Sequence, residues 1–298
     1  MRAAKLLCIG KSGQVARALK ERHAAYDLEL TAMGRPEVDL ADPDSLKRAI
    51  ELASPDLVVN AAAYTAVDQA ETEKEAAFAI NAEGVGTLAA LCAANDVPLI
   101  HISTDYVFDG EGSAPFLETG TPAPINVYGA SKLEGEVRLR DTHAAHIILR
   151  TSWVYSPYGG NFVKTMLRLA QEKGSASVVD DQIGCPTSAH EIAEAILAIS
   201  QRIFEDPSPD LFGTYHFSAA GEASWADVAA FIFELYEART GCKIGLNRIP
   251  SSDYPTPAAR PRNSRLDTRK ITDTFGIRPQ PWRDGVRETV NRLMDEGR

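Results

Sequence analysis

Lys5-Leu-Leu-Cys-Ile-Gly-Lys-Ser-Gly-Gln-Val-Ala16 begins as an apolar run and becomes a turn of small residues followed by an amphipathic segment. The run predicts a buried strand, and residues 14–23 predict a helix. Gly10 and Gly13 let the backbone turn tightly and approach a pyrophosphate at the helix N-terminus, where free N–H groups favour anions. The spacing is GxxGxxA rather than GxGxxG, so an ordinary strand–helix turn is the alternative. We favour a dinucleotide-binding turn, because it lies at the very start of the chain.

The alternation of apolar and helical segments continues through the first half of the chain. Further strands are predicted at 28–33, 57–59, 97–103 and 145–150, and helices at 43–53, 68–81, 85–95 and 127–141. Short links between alternating strands and helices imply a parallel sheet with helices on both faces. We therefore predict an α/β fold, a Rossmann-type doubly wound parallel sheet, in residues 1–155.

The pattern becomes less regular beyond residue 155. Helices are predicted at 162–173, 189–204 and 224–240, and the four prolines of 247–263 indicate an extended loop. We expect residues 156–298 to form mainly a smaller C-terminal substrate-binding lobe, with some later segments returning to the first domain.

The composition of the chain limits the kinds of molecule that the protein is expected to bind. The 298 residues carry a net charge of −10, which argues against nucleic acid as the main partner. No apolar run is expected to reach the roughly 18 residues of a membrane span. The four cysteines (Cys8, Cys92, Cys185 and Cys242) are far apart, without zinc-like spacing. We expect a reduced, cytoplasmic protein with no metal site.

Tyr128 and Lys132 lie four residues apart and share one face of the predicted helix. An ammonium beside a phenol is expected to lower the pKa of the phenol toward neutral pH. Any amphipathic helix can carry this pair, but here a strand ending in Ser103-Thr104-Asp105 precedes it. A hydroxyl at Thr104 can share a hydrogen bond with a substrate oxygen, whereas Asp105 could simply cap a turn. Together these residues predict carbonyl reduction or alcohol oxidation beside a dinucleotide.

In dinucleotide-binding folds, the residues at the end of the second strand determine whether NADH or NADPH is bound. Here that strand end carries Arg35 and no acidic residue, which favours NADPH, with NADH possible; an exposed loop arginine is the alternative. Asp39 and Leu40 could lie beside the adenine, although Asp39 could equally be a surface or capping residue. The segment that contains Ala63, Tyr64 and Thr65 follows a strand, and its small residues would let the backbone line the cofactor or pack tightly against the sheet.

A locally basic segment, Arg260-Pro-Arg-Asn-Ser-Arg265, stands out in this acidic chain. Arginines donate in pairs to phosphate oxygens, so a second anionic site would suit a nucleotide-linked substrate. A solvated charge cluster is the alternative.

Eight blocks of sequence resemble the dTDP-4-dehydrorhamnose reductase family of extended short-chain dehydrogenases/reductases. They are GKSGQV (10–15), NAAAYTAVD (60–68), STDYVF (103–108), YGASK (128–132), RTSWVY (150–155), NFVKTMLR (161–168), DQIGCPT (181–187) and YPTPAARPRNSRL (254–266). The last four are more specific than the glycine and YxxxK motifs, which all extended members share. The resemblance covers nearly the whole chain.

The resemblance implies reduction, by NAD(P)H, of the 4-keto group of a dTDP-linked 6-deoxy sugar, the last step of dTDP-L-rhamnose synthesis. By that analogy Tyr128 donates the proton, Lys132 holds the nicotinamide ribose and lowers the pKa of Tyr128, and Thr104 orients the carbonyl. The implied cofactor contacts are Gly13, Gln14, Val15, Ala63, Tyr64 and Thr65; the implied substrate contacts are Asp105, Trp153, Arg260, Asn263 and Arg265.

Some family members form dimers through Mg²⁺ held by an acidic trio. The aligned positions here fall near Ala18, His190 and Arg292, none of which is a carboxylate. We therefore expect a monomer or a metal-free homodimer. Two other functions stay open at this point. One is a nucleotide-sugar epimerase or dehydratase of the same extended group, and the other is a non-catalytic regulatory subunit of the methionine adenosyltransferase type.

Overall fold

A computed structural model of the chain describes residues 3–296. Its strands are β1 Ala4–Ile9, β2 Leu28–Met33, β3 Leu57–Asn60, β4 Leu99–Thr104, β5 His146–Thr151, β6 Val154–Tyr155, β7 Ser175–Val179, β8 Ile183–Gly184, β9 Thr187–Ser188, β10 Gly213–His216, β11 Ala223–Ser224 and β12 Gly245–Ile249. Six of these strands form the central sheet in the order β2-β1-β3-β4-β5-β10. All of the neighbouring strands in it are parallel.

The helices are α1 Gln14–Arg22, α2 Pro43–Ala53, α3 Val67–Ala70, α4 Lys74–Phe78, α5 Gly84–Ala94, α6 Val127–Thr142, α7 Phe162–Lys173, α8 Ala189–Glu205, α9 Trp225–Thr240, α10 Arg269–Phe275 and α11 Trp282–Glu296. A turn of π-helix, Ala79–Glu83, joins α4 to α5. The predicted helices agree with these bounds to within a few residues, except that the segment predicted as two helices between residues 68 and 95 contains α3 and then one continuous run from Lys74.

Alternate residues of β1 enter two separate cores. Leu6 and Cys8 pack in a cluster with residues of α1 and α8, whereas Leu7 and Ile9 pack in a cluster with residues of α2, α5 and α6. A strand buried on both faces must be apolar at every position, which explains the unbroken run that opens the chain. The predicted doubly wound sheet is confirmed.

The strand order reverses between β1 and β3, because the chain moves outward from β1 to β2 and then crosses to the other side. In open α/β sheets, ligands bind at the carboxyl ends of the strands near such a switch point. The ends of β1, β3 and β4 therefore form the expected ligand-binding edge.

Elements after residue 155 build a second cluster. Residues of α7, α9 and α11 pack around the small β7–β12 pair, with Trp282 and Phe233 among the buried side chains. However, α8 packs against α1, and β10 extends the main sheet beside β5. The division into two lobes at residue 155, with some later segments returning to the first, stays a prediction.

One helix is long and apolar enough to meet the criteria for a membrane span, although the sequence predicted none. The continuous helix Lys74–Ala94 has the length and composition of a membrane span by those two criteria alone. Its residues Val85, Leu88 and Cys92 are buried in the core beside β1 and β3. Core helices of this kind pass the same test, so the stretch is explained by packing.

Candidate active site

A cleft of about 650 Å³ lies at the carboxyl edge of the sheet. Fourteen of the residues predicted for the cofactor or substrate line it: Gly10, Gly13, Gln14, Val15, Arg35, Asp39, Leu40, Ala63, Thr65, Thr104, Asp105, Tyr128, Lys132 and Trp153. They come from six separate segments, and only the folded sheet brings them together.

The glycine turn provides one wall of this cleft. Gly10 has φ +112°, and a Cβ there would lie 3.2 Å from the backbone of Ala61 and Ala62, so only glycine fits without strain. Gly13 is the N-cap of α1, and no side chain caps the helix. The first N–H groups of α1 therefore stay available to an anion, and the turn fits a dinucleotide pyrophosphate.

Arg35 and Lys11 lie at the far end of the cleft, where β2 ends. Lys11 forms an exposed ion pair with Glu37. The Asp39 carboxylate accepts a hydrogen bond from the backbone of Ala41 at 3.0 Å and so shapes its own turn. Arg35 forms no ion pair among residues 3–296, and a free guanidinium at this position suits a ribose phosphate better than a bare ribose.

Tyr128 reaches the cleft from the first turn of α6, which Asn126 caps through a 2.8 Å bond from Gly129 N. Burial raises the pKa of Tyr128 above its usual range; a hydrogen bond with Thr104 opposes the rise, and the charge of Asp105 adds to it. The expectation that Lys132 makes this phenol acidic is therefore wrong for this structure. A neutral phenol is nevertheless the form that a proton donor needs.

Lys132 is buried, and its amino group is bonded to groups other than the phenol. Its Nζ donates to the Ile102 carbonyl at 2.7 Å and lies 3.1 Å from His101 Nε2. Burial lowers the pKa of Lys132 to about 8, although Glu136, one turn further along α6, acts in the opposite direction. Lys132 therefore changes its charge within reach of neutral pH.

Asp105 carries a carboxyl oxygen without a partner. Thr104 Oγ1 donates to Oδ1 at 3.1 Å, whereas Oδ2 is buried and has no hydrogen-bond partner within residues 3–296. Burial raises the pKa of Asp105 to about 7, and the hydroxyls of Ser264 and Thr104 offset only part of this rise. A buried polar atom left unpaired is costly, so Oδ2 is suited to a substrate hydroxyl.

Two indoles form the opposite wall. Trp153 stacks on Trp225 with ring centroids 3.6 Å apart and an interplanar angle of 9°. A Cβ at Gly184 would overlap the Trp153 ring, which accounts for the glycine in that block. A flat apolar face suits a sugar ring with a methyl group. The sequence analysis missed Trp225, because an apolar residue at the start of a helix gives no sign of which wall it faces.

Four predicted residues do not line the cleft. The Tyr64 hydroxyl donates to Glu73 at 2.8 Å, and Arg260 pairs with Asp68 at 2.7 Å. Asn263 donates to the Ala114 carbonyl, and Arg265 bonds both to Asn263 and to Glu222. These side chains are occupied by contacts within the protein, so their assignment to cofactor or substrate stays a prediction.

A buried ion pair ties α6 to the strands beneath it. Glu136 of α6 is fully buried and bonds Arg150 of β5 at 2.6 Å, and Ser103 Oγ donates to it at 2.6 Å. Burial acts to raise the pKa of Glu136, but Arg150, Ser103 and Arg140 outweigh it, and the pKa lies below its usual value. The cluster fixes the position of α6, one turn beyond Lys132, against the end of β4.

The positions aligned with a metal-binding trio form an ion-pair cluster instead. Ala18 is buried in α1, while His190 Nε2 and Arg292 Nη1 lie 2.9 and 3.0 Å from Glu21 Oε2. The hydrogen bond from Arg292 lowers the pKa of Glu21 to about 2, with a further contribution from His190. Between residues 3 and 296, no group of three or more His, Cys, Asp or Glu side chains could hold a metal ion.

Comparison with known proteins gives a consistent result. The family model described as RmlD substrate binding domain matches residues 4–294. The dTDP-4-dehydrorhamnose reductase of Sinorhizobium fredii is 49% identical, with 99% of each chain covered, and that of Escherichia coli K12 is 44% identical, covering 97% of this chain and 98% of the relative. The crystal structure of the Bacillus anthracis reductase in complex with NADP superposes with a TM-score of 0.88 at 33% identity, covering 97% of this chain and 99% of that one.

Proposed function

Because this chain belongs to the dTDP-4-dehydrorhamnose reductase family, we propose that it reduces the 4-keto group of dTDP-4-dehydro-L-rhamnose to give dTDP-L-rhamnose, with NADPH as the preferred reductant. The reaction consumes one NADPH and one proton per sugar. The observation that carries the proposal is the convergence of Thr104, Tyr128 and Lys132 in one cleft with the glycine turn.

NADPH supplies the hydride when it is bound. We expect Tyr128 to donate its hydroxyl proton to the oxygen at C4 of the sugar, and Thr104 to orient that oxygen through a hydrogen bond. Because burial keeps the phenol protonated at neutral pH, the donor is in its working form before substrate arrives. Lys132 would hold the nicotinamide ribose, and the unpaired oxygen of Asp105 would accept from a sugar hydroxyl.

The epimerase or dehydratase function and the regulatory function, which the sequence left open, are not favoured. UDP-glucose 4-epimerase of Thermus thermophilus is only 21% identical to this chain. That similarity supports a shared fold and gives no support to an epimerase activity. A regulatory subunit would not need Thr104, Tyr128 and Lys132 together in one cleft.

One assay tests the proposed function. The dTDP-keto-sugar is made in situ by a dehydratase and an epimerase, and loss of absorbance at 340 nm is followed with NADPH and with NADH. We expect turnover that depends on the complete substrate. Tightly bound NAD⁺ in the purified protein would favour an epimerase. Capture of a synthetase, with no oxidation of NADPH on any dTDP-keto-sugar, would favour a regulatory subunit.

Tyr128→Phe gives the sharper test of the mechanism. The variant keeps the aromatic ring but loses the donor, so kcat should fall by a factor on the order of 10²–10⁴. The Kd for NADPH, measured by fluorescence, should change little, since the ring still fills its place. Near-normal turnover would contradict the role assigned to Tyr128.

We also propose that the protein works in the cytoplasm as a monomer or a metal-free homodimer. The support is the cluster at the positions aligned with the metal-binding trio. There His190 and Arg292 both contact the one carboxylate, that of Glu21. Sedimentation and activity should be unchanged by EDTA. Dissociation or inactivation on removal of divalent ions would contradict this proposal.

A further inference from the structure

A chain of polar side chains leads from the backbone of the 60–65 segment to Lys132. Ala62 N donates to Asn60 Oδ1 at 3.1 Å, and Asn60 Nδ2 lies 3.0 Å from His101 Nδ1. His101 Nε2 then lies 3.1 Å from Lys132 Nζ. Asn60 and His101 are paired across β3 and β4, and both are completely buried. No bulk solvent reaches the two central links, so the protons in them must be supplied by the side chains themselves.

The backbone sets the direction of this chain. An N–H group can only donate, so Asn60 must place its oxygen toward Ala62 and its NH₂ toward His101. His101 Nδ1 must then accept, which leaves the proton of the neutral ring on Nε2. That N–H points at Lys132 Nζ, and only the lone pair of a neutral amine can accept it. The amine still donates to Ile102 at 2.7 Å.

The charged form of Lys132 does not fit the same contacts. An ammonium has no acceptor, so it would require a lone pair on His101 Nε2 and a proton on Nδ1. That proton would face the NH₂ of Asn60, and reversing the Asn60 amide would instead place its NH₂ against Ala62 N–H. Every arrangement with an ammonium leaves one pair of donors facing each other, which costs free energy in a buried site.

We propose that His101 is a positioning residue which, held in its Nε2–H form by Asn60, favours the neutral amine of Lys132 over the ammonium. The groups that face this pair are few. Glu136 on the same helix favours the ammonium, and Arg150 and Arg140 compensate Glu136. Burial is the largest cause of the strongly lowered pKa of His101. Lys132 and, on β5, His146 also oppose a positive charge on the His101 ring.

The consequence for catalysis rests on the proposed function. After Tyr128 gives up its proton, it must be protonated again before the next turnover. A lysine whose proton is held weakly gives it up more readily than an ordinary lysine would. Because Lys132 Nζ bonds to Ile102 and His101, that proton would have to reach the phenolate through an intervening hydroxyl or water. The His101 tautomer itself can be measured without substrate or cofactor, so its outcome is separate from that of the reductase assay.

The first measurement uses the full-length, cofactor-free protein without substitution. The ¹⁵N shifts of the His101 ring, linked through bonds to its assigned backbone, are recorded at pH 9, above the pKa of Lys132 of about 8. We expect the proton on Nε2. As the pH is lowered, the ring shifts should change in step with the Lys132 Nζ signal, which is identified by its loss in Lys132→Met. A proton on Nδ1 at pH 9 overturns the proposal.

The second measurement reverses the direction of the hydrogen bonds that link residue 60, His101 and Lys132. In Asn60→Asp, one carboxylate oxygen still accepts from Ala62 while the other accepts from His101 Nδ1–H, so Nε2 becomes an acceptor and Lys132 can be an ammonium. The pKa of Lys132 should rise from about 8 toward the ordinary 10.5.

The added charge alone would also raise this pKa, and His101→Phe provides the matched background. There the same Asn60→Asp change acts only through its charge. We expect the rise to be larger with His101 present, by about one pH unit. A His101 tautomer that reverses while the rise is equal in the two backgrounds would refute the proposal.

Discussion

Glu136→Gln probes the ion pair that holds α6 in place. The substitution preserves the shape of the side chain but removes the charge that faces Arg150 and Arg140. Arg150 is only 2% exposed, so its guanidinium would lose its anion in a site that water does not reach. The amide can accept through one oxygen only, and at least one contact of the present set would bring two donors together.

The magnitude follows from the burial of both partners. Breaking a buried pair by removing one charge costs about 3–5 kcal/mol, because the other charge is left uncompensated. Since the unfolding free energy of a domain is about 5–15 kcal/mol, this loss is a large fraction of the total. For a chain of 298 residues the unfolding entropy is about 0.6 kcal/mol/K, so the melting temperature should fall by roughly 5–8 °C.

The sign of the pH dependence provides a further check. The pKa of Glu136 is lowered in the folded state, so its stabilisation is present above the ordinary value of 4.5 and is lost as the pH falls through the folded value. The difference between the wild-type protein and Glu136→Gln should therefore shrink on acidification.

Urea and thermal unfolding, followed by circular dichroism at pH 7, measure the effect. Glu134→Gln is the matched control, because Glu134 lies on the same helix and pairs with Arg138 where both side chains are more than 40% exposed. That exposed pair should contribute at most about 1 kcal/mol. If Glu136→Gln loses no more stability than the control, the buried cluster does not anchor the helix as argued.

Three further predictions concern the cleft. Asp105→Asn should stabilise the protein more at pH 8 than at pH 5, by roughly 2–4 kcal/mol, because the pKa of Asp105 is raised from 3.8 to about 7 in the folded state, so that stability is lost progressively as the pH rises between these two values; urea unfolding at the two pH values checks this. Arg35→Ala should raise KM for NADPH about tenfold or more and leave KM for NADH nearly unchanged; equal changes would exclude a contact with the 2′-phosphate. Lys132→Met should weaken NADPH binding and lower kcat together by at least about tenfold, and unchanged affinity in a fluorescence titration would count against the ribose contact.

The sequence by itself determined the sheet, because its physical signal is local. An apolar run such as 6–9 has to be buried on both faces, and the amphipathic helices that alternate with such runs leave few ways to cover them. The order of Gly10, Thr104, Tyr128 and Lys132 along these elements was also enough to place them at one edge. β10, with only four residues in a less regular region, gave no comparable signal.

The tertiary structure decided what these groups do to one another. Lys132 and Tyr128 share a helix face, yet the lysine bonds to Ile102 and His101, and burial raises the pKa of the phenol instead of lowering it. Asn263 and Arg265, chosen for their chemistry, bond to each other. Spacing along a chain fixes which side chains can meet, but pKa values and hydrogen-bond partners depend on burial and on neighbours distant in sequence, and these exist only in the folded protein.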